Sequence, residues 1–451
     1  MFIGKITPVL ALATSFFPLH AASITALGSL PGEVAGSTAS FISADGRTVV
    51  GTGVSSGSGF RWRDGILVSV GNGNGPTCLS SDGGAVAGRN NRSAFIWTEG
   101  PARSLGTLPG RTSHFPSAIS ADGAVVVGNA GSPGVTQAFV WRLSTGVMQA
   151  LPDLPGSTGF SGATAVSGDG RIIAGYSSAN GRTEAVVWEA GVLKNLSAAS
   201  AARDSRALHV SEDGATVVGS SDHVAFLYRD GVFQLIGDLP GGDVFSSPQA
   251  ISADGSTVVG SSSTAQGNEA FRWKDGVMLA LGELAGGDYS SGAVAVSADG
   301  SVVVGQSQVS DSNAQAFLWT ASHGMVTLEN LLRALGVDLT GWSRLRVARD
   351  ISRDGRYICG TGVRNGGLEA FLVDLGIPAV PALAIESGAD GRTVRMRFSG
   401  EPGRAYRLQR ATVLGAGGWG SDQVLVAGNE RVYEAELPVD AATGLFRVVA
   451  E

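Results

Sequence analysis

Short apolar runs alternate with glycine and polar turn residues along most of this chain, and the alternation is itself repeated. Each copy has an apolar residue, Ser, a variable residue and Asp-Gly, followed by a run such as "TVVG" or "IIAG". Successive copies lie about 44 residues apart on average, which is typical of repeat units that hold four β-strands. The aspartates of the eight copies are Asp45, Asp82, Asp122, Asp169, Asp213, Asp254, Asp299 and Asp354.

Each copy predicts four short strands, which we name a to d in chain order. Strand a ends at the Ser, strand b is the apolar run after Asp-Gly, and strand c is a segment of the type "AFRW". Strand d follows another glycine turn. Asp-Gly between two β-rich runs predicts a hairpin, because glycine takes positive φ freely and Asp tolerates it. The same dipeptide recurs between strands c and d at Asp64-Gly65, Asp230-Gly231 and Asp275-Gly276.

A large aromatic residue ends strand c in most copies. A bulky ring at one fixed place per copy fills the space between neighbouring units. We therefore interpret these residues as packing residues rather than as ligand contacts. Six of the eight tryptophans occupy the position, and Tyr228 occupies it once; the tryptophans are Trp62, Trp97, Trp141, Trp188, Trp273 and Trp319.

The two ends of the repeat region complement each other. The segment "SITALGSLPG" reads as a strand d with no strands a, b and c before it, and the eighth copy stops at "AFLVDLG", where strand d is missing. The first strand can therefore complete the last unit and remove both open sheet edges. A linear stack would leave those edges exposed and would need capping segments. We predict an all-β fold, with an eight-bladed β-propeller over residues 23–376 closed by the N-terminal strand.

The copies resemble the HAF repeat family of extracellular proteins, whose units run "LG-x-LPGG … A-x-xIS-x-DG-x-xVVG … AF-x-W". The resemblance covers about residues 24–376, and the segment from 328 resembles the last unit of such proteins, with a short helix at 328–335. It implies export and a propeller-like fold, and no established activity. Units of the family carry a His before Ala-Phe. No role of that His carries over to this chain, because the position holds Gln137, Glu184, Glu269, Gln315 or Glu369.

The N-terminus predicts a signal peptide over residues 1–22. Lys5 precedes an apolar stretch that ends before Pro18, and Ala21 and Ala22 supply the small residues of a cleavage site. The alternative is a buried strand or short helix. No other apolar run approaches the roughly 20 residues that a membrane helix needs, so we expect no span after leader removal. The expected location is extracellular or at the cell surface.

The repeat stops before residue 377. Pro378 and Pro381 suit a stiff linker over 377–382, and residues 383–451 read as alternating strands. The segment "GEPGRAYRLQRA…GW…LFRVV" is similar to a small β-sandwich module at the ends of many exported bacterial proteins. We expect an added domain that stabilises the ring or acts in sorting, with an independent binding module as the alternative.

Composition narrows the possible partners and cofactors. The chain has 67 glycines, 16% charged residues and a net charge of −7, so nucleic acid is not an expected partner. Cys78 and Cys359 belong to separate copies, and two buried thiols are favoured over a disulfide. The five histidines are scattered, and no motif predicts a metal, a cofactor or a catalytic residue.

The repeated turn aspartates have two interpretations. A Ser-x-Asp-Gly ring could bind calcium, but a calcium loop collects several oxygens within about a dozen residues. Each turn here offers one carboxylate, and the turns belong to different copies. Turn formation is the favoured interpretation.

The d–a loops provide the candidate binding residues. Four of them carry an aromatic residue seven to ten positions before the turn Asp, namely Phe115, Phe160, Phe245 and Tyr289. An aromatic rim beside small polar residues suits stacking against sugars or peptide segments. The alternative is that these rings pack over the ends of the units.

The expected function is therefore that of a secreted, non-catalytic recognition or scaffold module, with a glycan or a protein at the cell surface as partner. The alternative is a propeller-based polysaccharide hydrolase or lyase. Such an enzyme needs at least two carboxylates in one pocket. The inner positions of strand a are mainly small or apolar, and only Asp243, Asp288 and Arg111 could supply charge from the loops.

Overall fold

The computed structural model describes residues 21–376, except 35, 72–74, 198–201, 287–289 and 310–312, together with the backbone of six strands between 384 and 450. One compact unit runs from Ala22 to Leu375, and the strands beyond Gly376 belong to a second one. Nearly all of the predicted signal peptide and the whole predicted linker lie outside the described residues.

Four-stranded antiparallel units make up the first compact unit, and we number them along the chain; units 3 and 4 are joined into one sheet by a parallel bridge between Thr136 and Phe160. Each pairs its strands in the order a, b, c, d. Units 1 to 4 are β2 (Ser37–Ile42), β3 (Thr48–Gly53), β4 (Gly59–Arg63), β5 (Ile66–Gly71); β6 (Pro76–Leu79), β7 (Val86–Asn90), β8 (Ser93–Trp97), β9 (Arg103–Ser104); β10 (Ser113–Ile119), β11 (Val125–Ser132), β12 (Val135–Arg142), β13 (Met148–Ala150); and β14 (Ser157–Val166), β15 (Ile172–Ala179), β16 (Arg182–Glu189), β17 (Val192–Asn195).

The later units follow the same plan, and the prediction of an all-β fold is confirmed. Unit 8 takes its fourth strand from the start of the chain, β1 (Ser23–Ala26). Units 5 to 8 are β18 (Ser205–Val210), β19 (Thr216–Ser221), β20 (Val224–Arg229), β21 (Val232–Gly237); β22 (Gly241–Ile251), β23 (Thr257–Thr264), β24 (Asn268–Lys274), β25 (Val277–Ala280); β26 (Ser291–Val296), β27 (Val302–Gln308), β28 (Ala314–Thr320), β29 (Gly324–Thr327); and β30 (Trp342–Ile351), β31 (Tyr357–Arg364), β32 (Gly367–Asp374), β1.

The pairing of β1 with β32 joins the two ends of the repeat region. The register runs antiparallel from Ser23 opposite Asp374 to Ala26 opposite Phe371. The N–H of Leu27 extends the ladder, donating to the Ala370 carbonyl at 2.9 Å. Unit 8 is therefore completed by residues that precede unit 1 in the chain.

The apolar core lies at the junctions between successive units. One cluster at the junction of units 8 and 1 holds Leu27, Val49 and Phe60 together with Ala370 and Leu372. The aromatic residues that end strand c belong to these clusters: Trp141 and Trp188 are fully buried, and Trp62, Trp97, Trp273 and Trp319 are at most 9% exposed. These contacts support packing as the role of the tryptophans.

Backbone hydrogen bonds also link the a–b turns of neighbouring units. The N–H of Ala121 donates to the carbonyl of Gly168 at 3.0 Å, and the N–H of Gly168 donates to that of Glu212 at 2.9 Å. The N–H of Arg353 in unit 8 donates to the carbonyl of Ala44 in unit 1 at 3.1 Å. The turns of the last and the first unit are thus in direct contact.

One short helix, α1 (Leu328–Ala334), lies between β29 and β30, which agrees with the expected helix to within one residue. Thr327 caps it by accepting a hydrogen bond from the N–H of Asn330, and Leu328 and Leu332 are buried. None of the described helices is long and apolar enough to cross a membrane.

The second unit contains two three-stranded antiparallel sheets. Their strand orders are β33-β34-β37 and β36-β35-β38. The strands are β33 (Ala384–Ser387), β34 (Thr393–Ser399), β35 (Tyr406–Ala411), β36 (Gly420–Leu425), β37 (Val432–Pro438) and β38 (Leu445–Ala450).

Both cysteines are buried free thiols, as the sequence predicted. Burial raises the pKa of Cys78 to about 12 and holds that of Cys359 well above its usual value. The stability of the described fold therefore comes from packing and sheet pairing rather than from a disulfide.

Candidate functional site

The Ser-x-Asp-Gly turns use their polar groups within the turn. In unit 6 the Ser252 hydroxyl donates to Oδ1 of Asp254 at 2.5 Å, and the N–H of Ser256 donates to the same oxygen at 2.9 Å. The buried Ser252 Oγ also accepts the N–H of Thr257 at 3.0 Å. The same three bonds occur in all eight copies. Turn formation thus explains the repeated aspartates.

Removing the turn hydroxyl in Ser252→Ala should lower the free energy of unfolding by about 1–2 kcal/mol, because the buried N–H of Thr257 loses its acceptor. The control is Ser256→Ala in the same turn, which removes a surface hydroxyl 2.9 Å from Oδ2 of Asp254 and should change stability by less than about 0.5 kcal/mol. Urea denaturation measures both. Equal losses would contradict a structural role specific to the buried serine.

Among the described residues no group of three or more His, Cys, Asp or Glu is arranged to hold a metal ion. The concave surfaces of the described chain lie beside the predicted rim aromatics and along the inner strands.

The four predicted rim aromatics have different surroundings. Phe115 on β10 is half-buried, and the guanidinium of Arg89 lies 4.4 Å from its ring centroid. Phe160 on β14 is 37% exposed, and its ring centroid lies 5.5 Å from that of Tyr176. Phe245 on β22 is half-buried, and Tyr289 lies outside the described residues.

Two of these residues meet in one open groove, which we call the rim groove. Phe115 and Phe160, from units 3 and 4, line a cavity of about 670 Å³. Its remaining walls come from Arg89 and Arg92 in the β7–β8 region and from the hairpin that joins β11 to β12, which includes Val135. Phe245 does not line this groove. The two arginines were not predicted, because Arg89 lies at the end of strand b and Arg92 in the b–c connection rather than in a d–a loop.

A second cavity, of about 750 Å³, lies between the inner strands, and we call it the axial cavity. One wall carries Arg346, Arg349 and Asp350 from β30. Strands of units 5, 6 and 7 contribute His209, Gln249 and Gln306. This cluster was not predicted from the sequence, although the eighth copy reads "RLRVARDIS" where the seventh reads "SGAVAVS".

The two titratable groups of the axial cavity have strongly shifted pKa values. Burial raises the pKa of Asp350 to about 6, although the N–H groups of Ile42 and Ile351 donate to its two oxygens at 3.0 and 2.9 Å. Burial lowers the pKa of His209 to about 4, while a hydrogen bond to the Pro248 backbone partly opposes that shift. At neutral pH the imidazole is therefore uncharged, and most of the Asp350 carboxyl is ionised.

Further along strand a, toward the turns, all eight units meet around one smaller cavity of about 270 Å³. Arg353 of unit 8 forms an ion pair at 2.7 Å with Glu212 of unit 5 on this side. The cavity is lined by the apolar residue before each turn serine and the residue after it, namely Ile42, Leu79, Ile119, Val166, Val210, Ile251, Val296 and Ile351 with Ala44, Ser81, Ala121, Gly168, Glu212, Ala253, Ala298 and Arg353.

Three charged loop residues were considered as groups of an enzyme, and the two that the structure describes do not line either of the larger cavities. Asp243 is exposed on β22, and Arg111 is half-buried before β10. Neither residue lines the rim groove or the axial cavity. Asp288 lies outside the described residues.

No family model matches the sequence, and no curated protein matches it either. Among solved structures, TolB from Acinetobacter baumannii has 16% identity and a TM-score of 0.35 over 53% of this chain and 61% of its own, so this chain spans about three fifths of that protein. Dipeptidyl peptidase 4 from Porphyromonas gingivalis has 12% identity and a TM-score of 0.47, covering 85% and 65%. An oligogalacturonate lyase from Vibrio parahaemolyticus has 11% identity and a TM-score of 0.43, covering 78% and 93%. At these values neither activity nor ligand is transferred to this chain.

Proposed function

We propose that this chain is an exported, non-catalytic recognition module of the HAF repeat type, which binds an extended glycan at the rim groove. The observation that carries the proposal is that Phe115 and Phe160, from different units, line one open cavity together with Arg89 and Arg92. Export rests on the predicted signal peptide, and a partner at the cell surface follows from export.

The proposed architecture is an eight-bladed β-propeller closed by the N-terminal strand. Three features support it. The small cavity is lined by two residues from each of eight units. The turns of units 8 and 1 share a hydrogen bond between Arg353 and Ala44, and β1 completes unit 8.

The chemistry of the rim groove suits a sugar chain. Phe160 offers an exposed ring face for stacking, and Val135 adds apolar surface on the facing hairpin. Thr112, Ser113 and Thr136 line the groove beside them. The hydroxyls of Thr112 and Ser113 donate to the Gly131 carbonyl and can accept from sugar hydroxyls. Arg92 adds a cation, so we expect a preference for glycans that carry acidic groups.

A non-catalytic role is proposed because Asp350 is the one carboxylate that lines the axial cavity among the described residues. Acid–base hydrolysis of a glycoside needs a pair of carboxyl groups about 5–9.5 Å apart. The alternative, a polysaccharide hydrolase or lyase, would be revealed by product release in the experiment below.

Phe160→Ala should weaken binding to glycan-array hits by about tenfold, because one stacking contact is worth about 0.5–1.5 kcal/mol beyond the area it buries. Phe115→Ala should weaken it as well. The matched control is Phe245→Ala, which removes a half-buried aromatic residue of β22 outside the groove and should leave affinity unchanged.

Wild-type protein that binds no glycan on the array, or an equal loss in the Phe245→Ala control, would overturn the assignment of the groove. If the protein binds peptides instead of glycans, the proposed ligand class is wrong and the rim groove remains the binding site. Shortened glycans detected by mass spectrometry after incubation would favour the enzyme alternative.

A further inference from the structure

The axial cavity is a second concave site, separate from the rim groove. It lies along strand a of units 1, 5, 6, 7 and 8, on the loop side of the small cavity. On the turn side, apolar residues such as Ile42 and Ile351 surround the axis, and the ion pair between Arg353 and Glu212 spans it. A solute would therefore enter the axial cavity from the loop side.

Strand β30 departs from the repeat in residue type at Arg349 and Asp350 and in geometry around Arg346, where the register shifts between Leu345 and Val347. The positions held by Val294 and Ala295 in unit 7 are held by Arg349 and Asp350 in unit 8. The register of β30 on β31 shifts three times, whereas that of β26 on β27 shifts once. Bulges bend a strand and re-aim its side chains, and they are frequent beside functional sites.

The arginines of this wall are available to a ligand. Neither Arg346 nor Arg349 forms an ion pair or a side-chain hydrogen bond within the described part of the chain. The carboxylate of Asp350 is instead held by the backbone N–H groups of Ile42 and Ile351. A guanidinium presents a fork of donors that matches the oxygens of a carboxylate or a phosphate.

The remaining walls are uncharged at neutral pH. His209, Gln249 and Gln306 contribute neutral polar groups, and Thr361 has a buried hydroxyl oxygen without a hydrogen-bond partner among the described residues. The two arginines and Asp350 therefore leave the cavity with a net positive charge. Its volume of about 750 Å³ lies in the range of small-molecule sites.

We propose that the axial cavity binds a small anionic solute, an organic carboxylate or a phosphate ester of about the size of a monosaccharide, through Arg346 and Arg349. The uncharged polar groups opposite bind the rest of the solute. This site works independently of glycan binding at the rim groove.

Anion binding at this site should strengthen as the pH falls from 7.5 to 5.5. Asp350, with its pKa near 6, becomes mostly neutral over that range, which removes the one carboxylate charge in the described lining of the cavity and so its repulsion of the anion. The groups next to the Asp350 carboxyl are the N–H of Ile42 on β2, the N–H of Ile351 on its own strand and Cys359, which is its partner on β31. The Cys359 thiol stays protonated, and His209 across the cavity gains a proton only near pH 4, so neither titrates in this range.

Calorimetric titration of the full chain tests the proposal with three solutes that share one sugar ring: glucuronate, glucose 6-phosphate and neutral glucose. We expect at least one of the two anions to bind and glucose not to bind. The anion with the higher affinity shows whether the site prefers a carboxylate or a phosphate ester. Arg346→Gln and Arg349→Gln should each weaken binding about tenfold. The control Arg344→Gln changes an arginine of the same strand that does not line the cavity, and affinity should persist.

The pH arm uses glucuronate, whose carboxylate stays ionised above about pH 5. Wild-type affinity should rise about threefold to tenfold between pH 7.5 and 5.5, and Asp350→Asn should remove that dependence. Thermal melting checks that each variant is folded. The proposal is overturned if neither anion binds at millimolar concentration, or if the folded Arg346→Gln/Arg349→Gln double variant binds as well as the wild type.

Discussion

Deletion of residues 23–27 should lower the free energy of unfolding of the first compact unit by at least about 5 kcal/mol, which is as much as the whole stability of many domains. Strand β1 pairs with β32 over four residues, and each ladder hydrogen bond contributes about 1 kcal/mol net. Leu27 is 4% exposed and packs in the cluster with Trp62 and Leu372, so its loss adds about 2–5 kcal/mol. The deletion also leaves the edge of β32 unpaired.

A permuted chain supplies the matched control for this deletion. Ser23 pairs with Asp374 at one end of the β1–β32 ladder. In unit 5, Arg229 and Val232 pair in the same way, and an Asp-Gly turn connects them. Moving residues 23–30 behind Asp374 through an Asp-Gly linker should therefore rebuild the c–d hairpin. All chains keep residues 377–451 at the C-terminus, and urea unfolding is followed by tryptophan fluorescence.

We expect the deleted chain to unfold at low urea or to aggregate, and the permuted chain to recover most of the wild-type midpoint. A deleted chain that unfolds at the wild-type urea concentration would show that β1 does not stabilise unit 8. If the deleted and the permuted chains both fail to fold while the wild type folds, the connection from β1 to unit 1 is required rather than the pairing of β1 with β32.

The repeating parts of the fold could be predicted because every signal occurs in several copies. The Asp-Gly turns between strands c and d adopt positive φ at both residues, as at Asp230 and Gly231, which is the geometry of a tight two-residue hairpin. The four strands of each unit and the buried aromatic at the end of strand c follow from the same local patterns.

The axial cavity could not be predicted, because its residues come from separate units and from an irregular strand. Alternation tells which side chains share a face only while the register is regular. In β30 two additional register shifts, at Trp342/Arg344 and Leu345/Val347, precede the one that strand a of unit 7 also has, so the direction of Arg346 cannot be deduced by counting residues. The surplus of charge in the eighth copy was visible, but its position on an inner wall was not.

The rim groove was predicted in part. The aromatic residues of the d–a loops were recognisable from the sequence, but which of them meet depends on the hairpins between strands b and c. In unit 3 the long strands β11 and β12 extend this hairpin, and Thr136 forms a parallel bridge with Phe160. That contact brings Phe160 into the same groove as Phe115, whereas Phe245 does not line this groove.

A second large effect should come from Gly305→Ala, which we expect to lower the free energy of unfolding by about 3 kcal/mol or more. Gly305 is the last residue of the "VVVG" run in β27, where the chain needs space rather than an unusual φ. An added Cβ would lie 2.1 Å from the carbonyl oxygen of Gly292 and 2.9 Å from Cε1 of Phe317. Phe317 is fully buried, so neither neighbour can move without disturbing the sheet or the core.

Gly292→Ala provides a control from the neighbouring strand of the same unit. An added Cβ at Gly292 meets no heavy atom within 4 Å, and alanine in a strand is favoured over glycine by about 0.5–1 kcal/mol, so this variant should be as stable as the wild type or slightly more stable. Urea denaturation of both variants shows whether the glycine at the end of the "VVVG" run is required by packing. A loss confined to Gly305→Ala means that the close approach of strand a and the strand-c phenylalanine requires it. Equal stability of the two variants would show that the sheet yields at this contact, and the glycine would then have no packing role.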